Sequence, residues 1–151
     1  GLSLRLADSP QTAAAIGRAR GRLSVVGIGP GCAELLAPAV RRALDEAEDV
    51  LGYETYVRMA GPFRDDQVQH CTDNREEMQR ARHAFELAAQ GRSVVVVSSG
   101  DPGVFAMAAA VFEVMEGRPD WQALDVRVLP GITAMLAAAA RAEERRNAAM
   151  I

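Results

Sequence analysis

The sequence predicts an α/β domain: a mainly parallel sheet flanked by helices. Three observations carry that prediction. Val94 to Val97 form a β-branched run with no polar alternation, the pattern of a strand covered on both faces. Short apolar segments alternate with stretches of helical periodicity along the chain, as in a parallel sheet joined by helical crossovers. Three glycine-bearing turns, GIGPG (27–31), SSGDPG (98–103) and PGITA (130–134), each follow a predicted strand and precede a predicted helix.

Taken in order, residues 1–21 are small, polar and arginine-dotted, and read as an extension or linker ahead of the domain. From Leu23, LSVVGIGPG is a strand breaking into glycines, followed by a helix in which Leu36, Val40, Ala43, Leu44 and Ala47 share a face. Asp49 to Tyr53 is a second strand, GPFRDDQ is turn-rich, and a third strand is expected around Val68 to Cys71. Asp73 with Glu76 has the spacing of a capping box for a helix whose Met78, Ala81, Phe85 and Ala88 face the core, ending at Gly91. After the valine strand, Asp101 is expected to cap the next helix through its carboxylate. Pro102 suits the first helical position, and Phe105, Ala109 and Phe112 recur at helical spacing. The turn GRPD leads to a strand at Asp125 to Leu129, and Pro130-Gly131-Ile132-Thr133 opens an alanine-rich helix. The cluster Glu143 to Arg146 reads as its solvated end.

The chain has 151 residues, 49% hydrophobic and 25% charged, with a net charge of -3. That is the size of one domain and the balance of an ordinary soluble protein, without the basic excess of a nucleic-acid binder. No apolar stretch has the length of a membrane span, so no membrane partner is expected. Cys32 and Cys71 are far apart and in no CxxC pair, which indicates neither a zinc site nor a disulfide framework and suits a reducing cytoplasm. No spacing of metal ligands is present. All 17 basic residues are arginine, so Walker A and lysine Schiff-base chemistry are excluded, while arginine forks suit carboxylates. Arg58, Arg64 and Arg75 stand near turns where they could meet such groups, although a solvated surface is the commoner fate of such residues. His83 reads as surface, and His70 as a weak candidate for proton transfer.

Loops that follow the strands of a parallel sheet emerge at one rim, so the three glycine turns are expected to converge on one ligand. The first resembles a dinucleotide fingerprint but fails GxGxxG, because Cys32 stands where the last glycine belongs, and Pro30 lacks the N–H a phosphate cradle would recruit. A Rossmann-type NAD-binding domain is therefore the weaker alternative. Pro30, Ser99, Asp101 and Thr133 suit a ligand with a cationic or neutral body, of which S-adenosyl-L-methionine is one.

GIGPGCAELLAPAVRRALDEAEDVLGYETYV, then SSGDPGVFAMAAAVFE, then PGITAMLAAAARA, together resemble the tetrapyrrole methyltransferase family over Leu23 to Ala142. The wording GYETYV and SSGDPGVFAM is similar to the branch of that family acting on precorrin-3B at ring position seventeen, with ring contraction, in cobalamin biosynthesis. The resemblance implies two α/β domains in a homodimer, of which residues 22–142 match the N-terminal one. Residues 143–151 are read as a tail that departs from the family's continuation, with the second domain expected to be absent. It also implies a donor site at Pro30, Ser99, Gly100, Asp101, Val104, Thr133 and Ala134, with Gly29, Gly31 and Tyr53 in the substrate cleft. Tyr53 stands where some relatives carry a catalytic aspartate, so no catalytic acid or base is inherited. A chain limited to this half is expected to be an incomplete enzyme, or an interaction module that keeps the fold.

Overall fold

A computed structural model describes residues 21–29, 36–73, 75–131 and 134–149; for residues 101, 102 and 134–141 it describes the backbone only. Of the expected extension at 1–21, residues 1–20 lie outside the described residues, and Gly21 is buried ahead of β1. Strands β1 (Arg22–Gly27), β2 (Asp49–Tyr53), β3 (Val68–Thr72), β4 (Ser93–Ser98) and β5 (Asp125–Leu129) form one sheet in the order β3-β2-β4-β1-β5. Every pairing is parallel, with Val25 opposite Val96 and Val128, and Leu51 opposite Val96 and His70. The helices are α1 (Pro38–Glu46), α2 (Glu54–Ala60), α3 (Glu77–Ala89), α4 (Asp101–Met115), α5 (Pro119–Gln122) and α6 (Ala134–Ala149).

The valine run is central and covered on both sides, as its composition requires. Val94 and Val96 join Leu23, Val25 and Leu51 against α3, α4 and α5, while Val95 and Val97 join Val26, Ile28 and Val50 against α1 and α2. Burying each such side chain stabilises the fold by about 1.5–3 kcal/mol. Phe85 of α3 is fully buried and stacks on Trp121 of α5, with ring centroids 4.9 Å apart and planes at 6°. Arg118 covers the Trp121 ring at 3.7 Å. Helix α3 ends as expected, with Gly91 in the left-handed region (φ +85°), where only glycine is unstrained.

The connections divide cleanly. The chain leaves β1 and β2 for the α1/α2 face, and leaves β3 and β4 for the α3/α4 face. Because β4 lies between β2 and β1, the loop after β4 diverges from both neighbours and leaves a crevice at the carboxyl end of the sheet. Open α/β sheets bind ligands at such a switch point.

Two sequence expectations are corrected. Asp73 and Glu76 form no capping box: α3 starts at Glu77 without a side-chain cap. Arg80 instead reaches back to the Asp73 carbonyl (2.8 Å). Asp101 does not precede its helix; Gly100 is the cap residue and Asp101 the first residue of α4, where the helix dipole favours an acid, so Pro102 is the second. The stripe Phe105, Ala109, Phe112 has the right period but lies on the outer face, with Phe105 56% and Phe112 50% exposed, whereas Val104, Met107, Ala108 and Val111 face the core. Helix α2 and the short α5 inside the GRPD turn were not foreseen.

The opposite rim is built for stability. Asp49, only 2% exposed at the start of β2, is hydrogen-bonded to His70 Nε2 (2.9 Å) and ion-paired with Arg92 Nε. Burial works to raise the Asp49 carboxyl, but the hydrogen bonds and charges of Arg92 and His70 hold it below the usual carboxylate range. His83 packs edge-on against His70, with centroids 4.8 Å apart. His70 is therefore tied to Asp49. Gln67 donates to the terminal carbonyls Leu44 O (2.8 Å) and Ala47 O (2.9 Å), closing off α1.

Candidate functional site

Strands β4, β1 and β5 are neighbours, so the chain leaving them emerges side by side. Ile28 N donates to Ser98 O at 3.1 Å, extending the β1–β4 pairing into the loops. The first and third loops touch. A Cβ on Gly27 would lie 2.8 Å from Gly131 N and 3.3 Å from Ser99 O, and a Cβ on Gly131 would lie 2.6 Å from Gly29 N and 2.7 Å from Gly27 O. These are backbone atoms with no freedom to swing aside, so glycine is required at both positions by close approach. Gly29 adds a left-handed turn (φ +62°) at the same point. The convergence expected of the three turns is thus present in their described parts: Gly27–Gly29, Ser98–Gly100 and Gly131.

The second loop presents an open backbone. Among the described residues a Cβ on Gly100 would meet nothing within 4 Å, which leaves a ligand room to approach its peptide groups. Gly103 leaves room for the Ser99 hydroxyl, whose Oγ stands 2.3 Å from where a Gly103 Cβ would be. Val104 has its side chain fully buried in the core beneath the loop, and its N–H is held by Gly100 O at 3.0 Å. Pro30, Gly31 and Thr133 lie outside the described residues. Asp101 and Ala134 are placed by their backbones as the first residues of α4 and α6, and their side chains lie outside the described set.

Beside Ser99 is a cavity of about 180 Å³ whose walls include Tyr56, Arg80, Ser98, Gly103 and Met107. Tyr53, ending β2, sits against Tyr56 edge-to-face with centroids 5.3 Å apart, and borders an open hollow shared with Glu54, Cys71 and Thr72. Tyr53 therefore lies on the same rim as the glycine loops, displaced towards β3. Sequence reasoning missed Tyr56 and Arg80. A signal for Arg80 existed, since it precedes Ala84 by four residues and Ala88 by eight, on the stripe that α3 buries.

The other arginine candidates do not line the cavity beside Ser99. Arg58 is held by Glu54 (2.8 Å) on the exposed side of α2, and Arg64 by Asp66 (3.1 Å) and Asp45 O (2.7 Å) beyond the end of α1. Arg75 lies with Glu76 and Glu77 ahead of α3 and is exposed. A cavity of about 150 Å³ between α1 and the sheet is lined by Arg22, Arg42, Glu46, Ser93 and Arg127, at the starting end of β1 and β4. There Arg22 is paired with Glu46 and Asp125, and Arg127 with Asp125. Among the described residues no group of three or more His, Cys, Asp or Glu could hold a metal ion. None of their helices is long and apolar enough to cross a membrane.

Residues 22–145 match the model of a family described as tetrapyrrole (corrin/porphyrin) methylases. The chain is 47% identical over 122 residues to a precorrin-3B C(17)-methyltransferase from Sinorhizobium, covering 80% of this chain and 48% of that protein. It is 50% identical over 121 residues to the cobalamin biosynthesis protein CobIJ of Mycobacterium tuberculosis, covering 80% of this chain and 23% of that one. The chain thus spans less than half the length of these curated relatives. Among solved structures, the methyltransferase CobJ superposes with a TM-score of 0.71 at 56% identity, over 80% of this chain and 50% of that one. A uroporphyrin-III C-methyltransferase from Thermus thermophilus, complexed with S-adenosyl-homocysteine, superposes with a TM-score of 0.54 at 27% identity, over 79% of this chain and 48% of the other.

Proposed function

This chain belongs to the tetrapyrrole (corrin/porphyrin) methylase family, and from that premise we propose that it serves methyl transfer from S-adenosyl-L-methionine to a corrin precursor. By the names of its relatives, that precursor is precorrin-3B, methylated at ring position seventeen in cobalamin biosynthesis. The single observation that carries this reading is the contact of the glycine loops at the switch point of the sheet, where Gly27, Gly29 and Gly131 pack backbone on backbone beside the open peptide of Gly100.

The residues present fit such a donor. Peptide groups at Gly100 and the hydroxyl of Ser99 offer neutral hydrogen-bond partners, and Val97, Met107 and Tyr56 supply apolar and aromatic wall. When bound, the donor supplies a methyl group activated by a sulfonium. The chain's own share is alignment, worth up to about 7–11 kcal/mol of barrier when geometry is held closely. The rigid Gly27–Gly131 contact fixes the spacing of the first and third loops, Val104 anchors the second from below, and Tyr53 and Tyr56 wall the adjoining cleft. Pro30, Asp101, Thr133 and Ala134 complete the proposed donor site, and Gly31 the cleft. A dinucleotide is a poorer fit, since the strand order β3-β2-β4-β1-β5 is not the 3-2-1-4-5-6 of that fold. The homodimer implied by the family belongs to the same proposal and is checked by sedimentation velocity.

The test is titration calorimetry with S-adenosyl-homocysteine, on this chain and on this chain joined to the C-terminal half of the Sinorhizobium relative. Saturable one-to-one binding is expected. Absence of binding to both overturns the reading.

A further inference from the structure

We propose that Arg80 is an anion-binding residue of this rim, its guanidinium taking a carboxylate of a ligand that enters the cavity beside Ser99. Arg80 is 5% exposed on α3, yet among the described residues no carboxylate oxygen lies within ion-pair distance of it. A buried cation without a counter-charge is costly, and proteins retain such residues where something else supplies the anion.

The hydrogen-bond inventory shows which side of the fork is unspent. A guanidinium has five N–H donors. Nε gives one to Thr72 Oγ1 at 2.9 Å, and Nη2 gives its pair to Thr72 Oγ1 at 2.6 Å and Asp73 O at 2.8 Å. Among the described residues Nη1 has only the thioether of Met107, at 3.9 Å, a weak acceptor. Thr72 and Asp73 thus hold the guanidinium in place at the end of β3, and the two donors they leave over belong to the nitrogen beside Met107. Arg80 and Met107 both line the cavity of about 180 Å³, which also exposes Ser98, Ser99, Gly103 and Tyr56. A water molecule occupies about 30 Å³ of liquid, so this space admits a carboxylate group. Burial presses the Arg80 guanidinium below its ordinary value, against the weaker pull of Glu77 and Glu76, in keeping with a desolvated charge. Glu77 is exposed on the cavity wall, outside ion-pair distance, and would oppose rather than replace the anion.

A purely structural clamp between β3 and α3 needs the bonds to Thr72 and Asp73 but not a full positive charge or unspent donors on Nη1. A charge-assisted hydrogen bond from Nη1 to a ligand carboxylate uses both. Resting on the function proposed above, the carboxylate has two sources: the methionine end of the donor, or an acidic side chain of the macrocycle.

Calorimetry with four probes separates them: S-adenosyl-homocysteine, its decarboxylated analogue, uroporphyrin, and uroporphyrin with all carboxylates amidated. Arg80→Met is expected to weaken one carboxylated probe about 10- to 100-fold while changing its neutral counterpart less than about 2-fold; the pair that shows the difference identifies the source. Arg80→Lys, which keeps charge but loses the fork, is expected to fall between. Equal loss for charged and neutral probes would mean a structural clamp only, and unchanged binding of every probe by Arg80→Met would also overturn the inference while leaving the proposed function standing. Should the variants fail to fold, the unmodified chain still decides: each carboxylated probe binding no tighter than its neutral counterpart refutes the inference. If the unmodified chain binds none of the probes, the inference falls, and calorimetry on the chain joined to the relative's half then decides the functional reading separately.

Discussion

Replacing Gly131 by alanine tests the contact on which the site is built. The added Cβ would stand 2.6 Å from Gly29 N and 2.7 Å from Gly27 O, whereas ordinary contacts begin at 3.4 Å. The first and third loops must therefore separate by about 0.8 Å, since backbone atoms cannot rotate away. Overpacking of this kind costs about 1–3 kcal/mol, and in a domain of this size each kcal/mol lowers the melting temperature by roughly 3 °C. A displacement approaching 1 Å in a positioning site also costs on the order of 100-fold in function. Gly100→Ala is the control: among the described residues its Cβ meets no atom within 4 Å, so it is expected to leave stability within about 1 kcal/mol yet weaken S-adenosyl-homocysteine by intruding on the ligand's space. Chemical denaturation gives the first quantity and calorimetry the second. If Gly131→Ala keeps both the stability and the affinity of the parent, the loops do not meet as described and the argument for one shared site fails.

Other consequences are open to direct measurement. Because the Asp49 carboxyl is held below its ordinary value of about 3.9, the stability it contributes is present in full above about pH 4 and is lost as pH falls through the folded value. Asp49→Asn is accordingly expected to cost about 1–3 kcal/mol at pH 7 and to flatten the acid limb of the stability curve; an unchanged acid limb in denaturation at several pH values would contradict this. Phe85→Ala, which empties the stack against Trp121, is expected to cost about 3–5 kcal/mol, whereas Phe105→Ala on the outer face of α4 should cost under about 1 kcal/mol. Comparable losses in urea denaturation would mean that Phe85 on α3 and Phe105 on α4 do not sit on the buried and outer sides described.

The sheet and the meeting of the loops were legible because their signals are local and unambiguous. Four successive valines need cover on both faces, and glycines between a strand and a helix mark chain that must pass close to something. The faces of α4 were less legible. From Val104 to Phe112 it is apolar all round, so the period is right for several stripes and only the packed sheet selects Val104, Met107 and Val111. Helix α2, seven residues long, is too short for periodicity to declare itself, and it is held by burying Val57 and Ala60. Trp121 sits in a turn sequence whose GRPD wording conceals a helical turn. Arg80 was passed over because a charge in a helix is normally solvated; its burial follows from Thr72 and Asp73, which tertiary structure alone brings to its side chain.

The central claim is that the ends of β1, β4 and β5 form one donor site. It is tested most directly by following backbone amide resonances of the chain during titration with S-adenosyl-homocysteine. The account predicts saturable shifts concentrated at Gly27 to Gly29, Ser98 to Gly100 and Gly131, with Asp49 and Arg92 at the far rim undisturbed. Shifts centred on the Asp49–Arg92 rim, or on the cavity between α1 and the sheet, would contradict it.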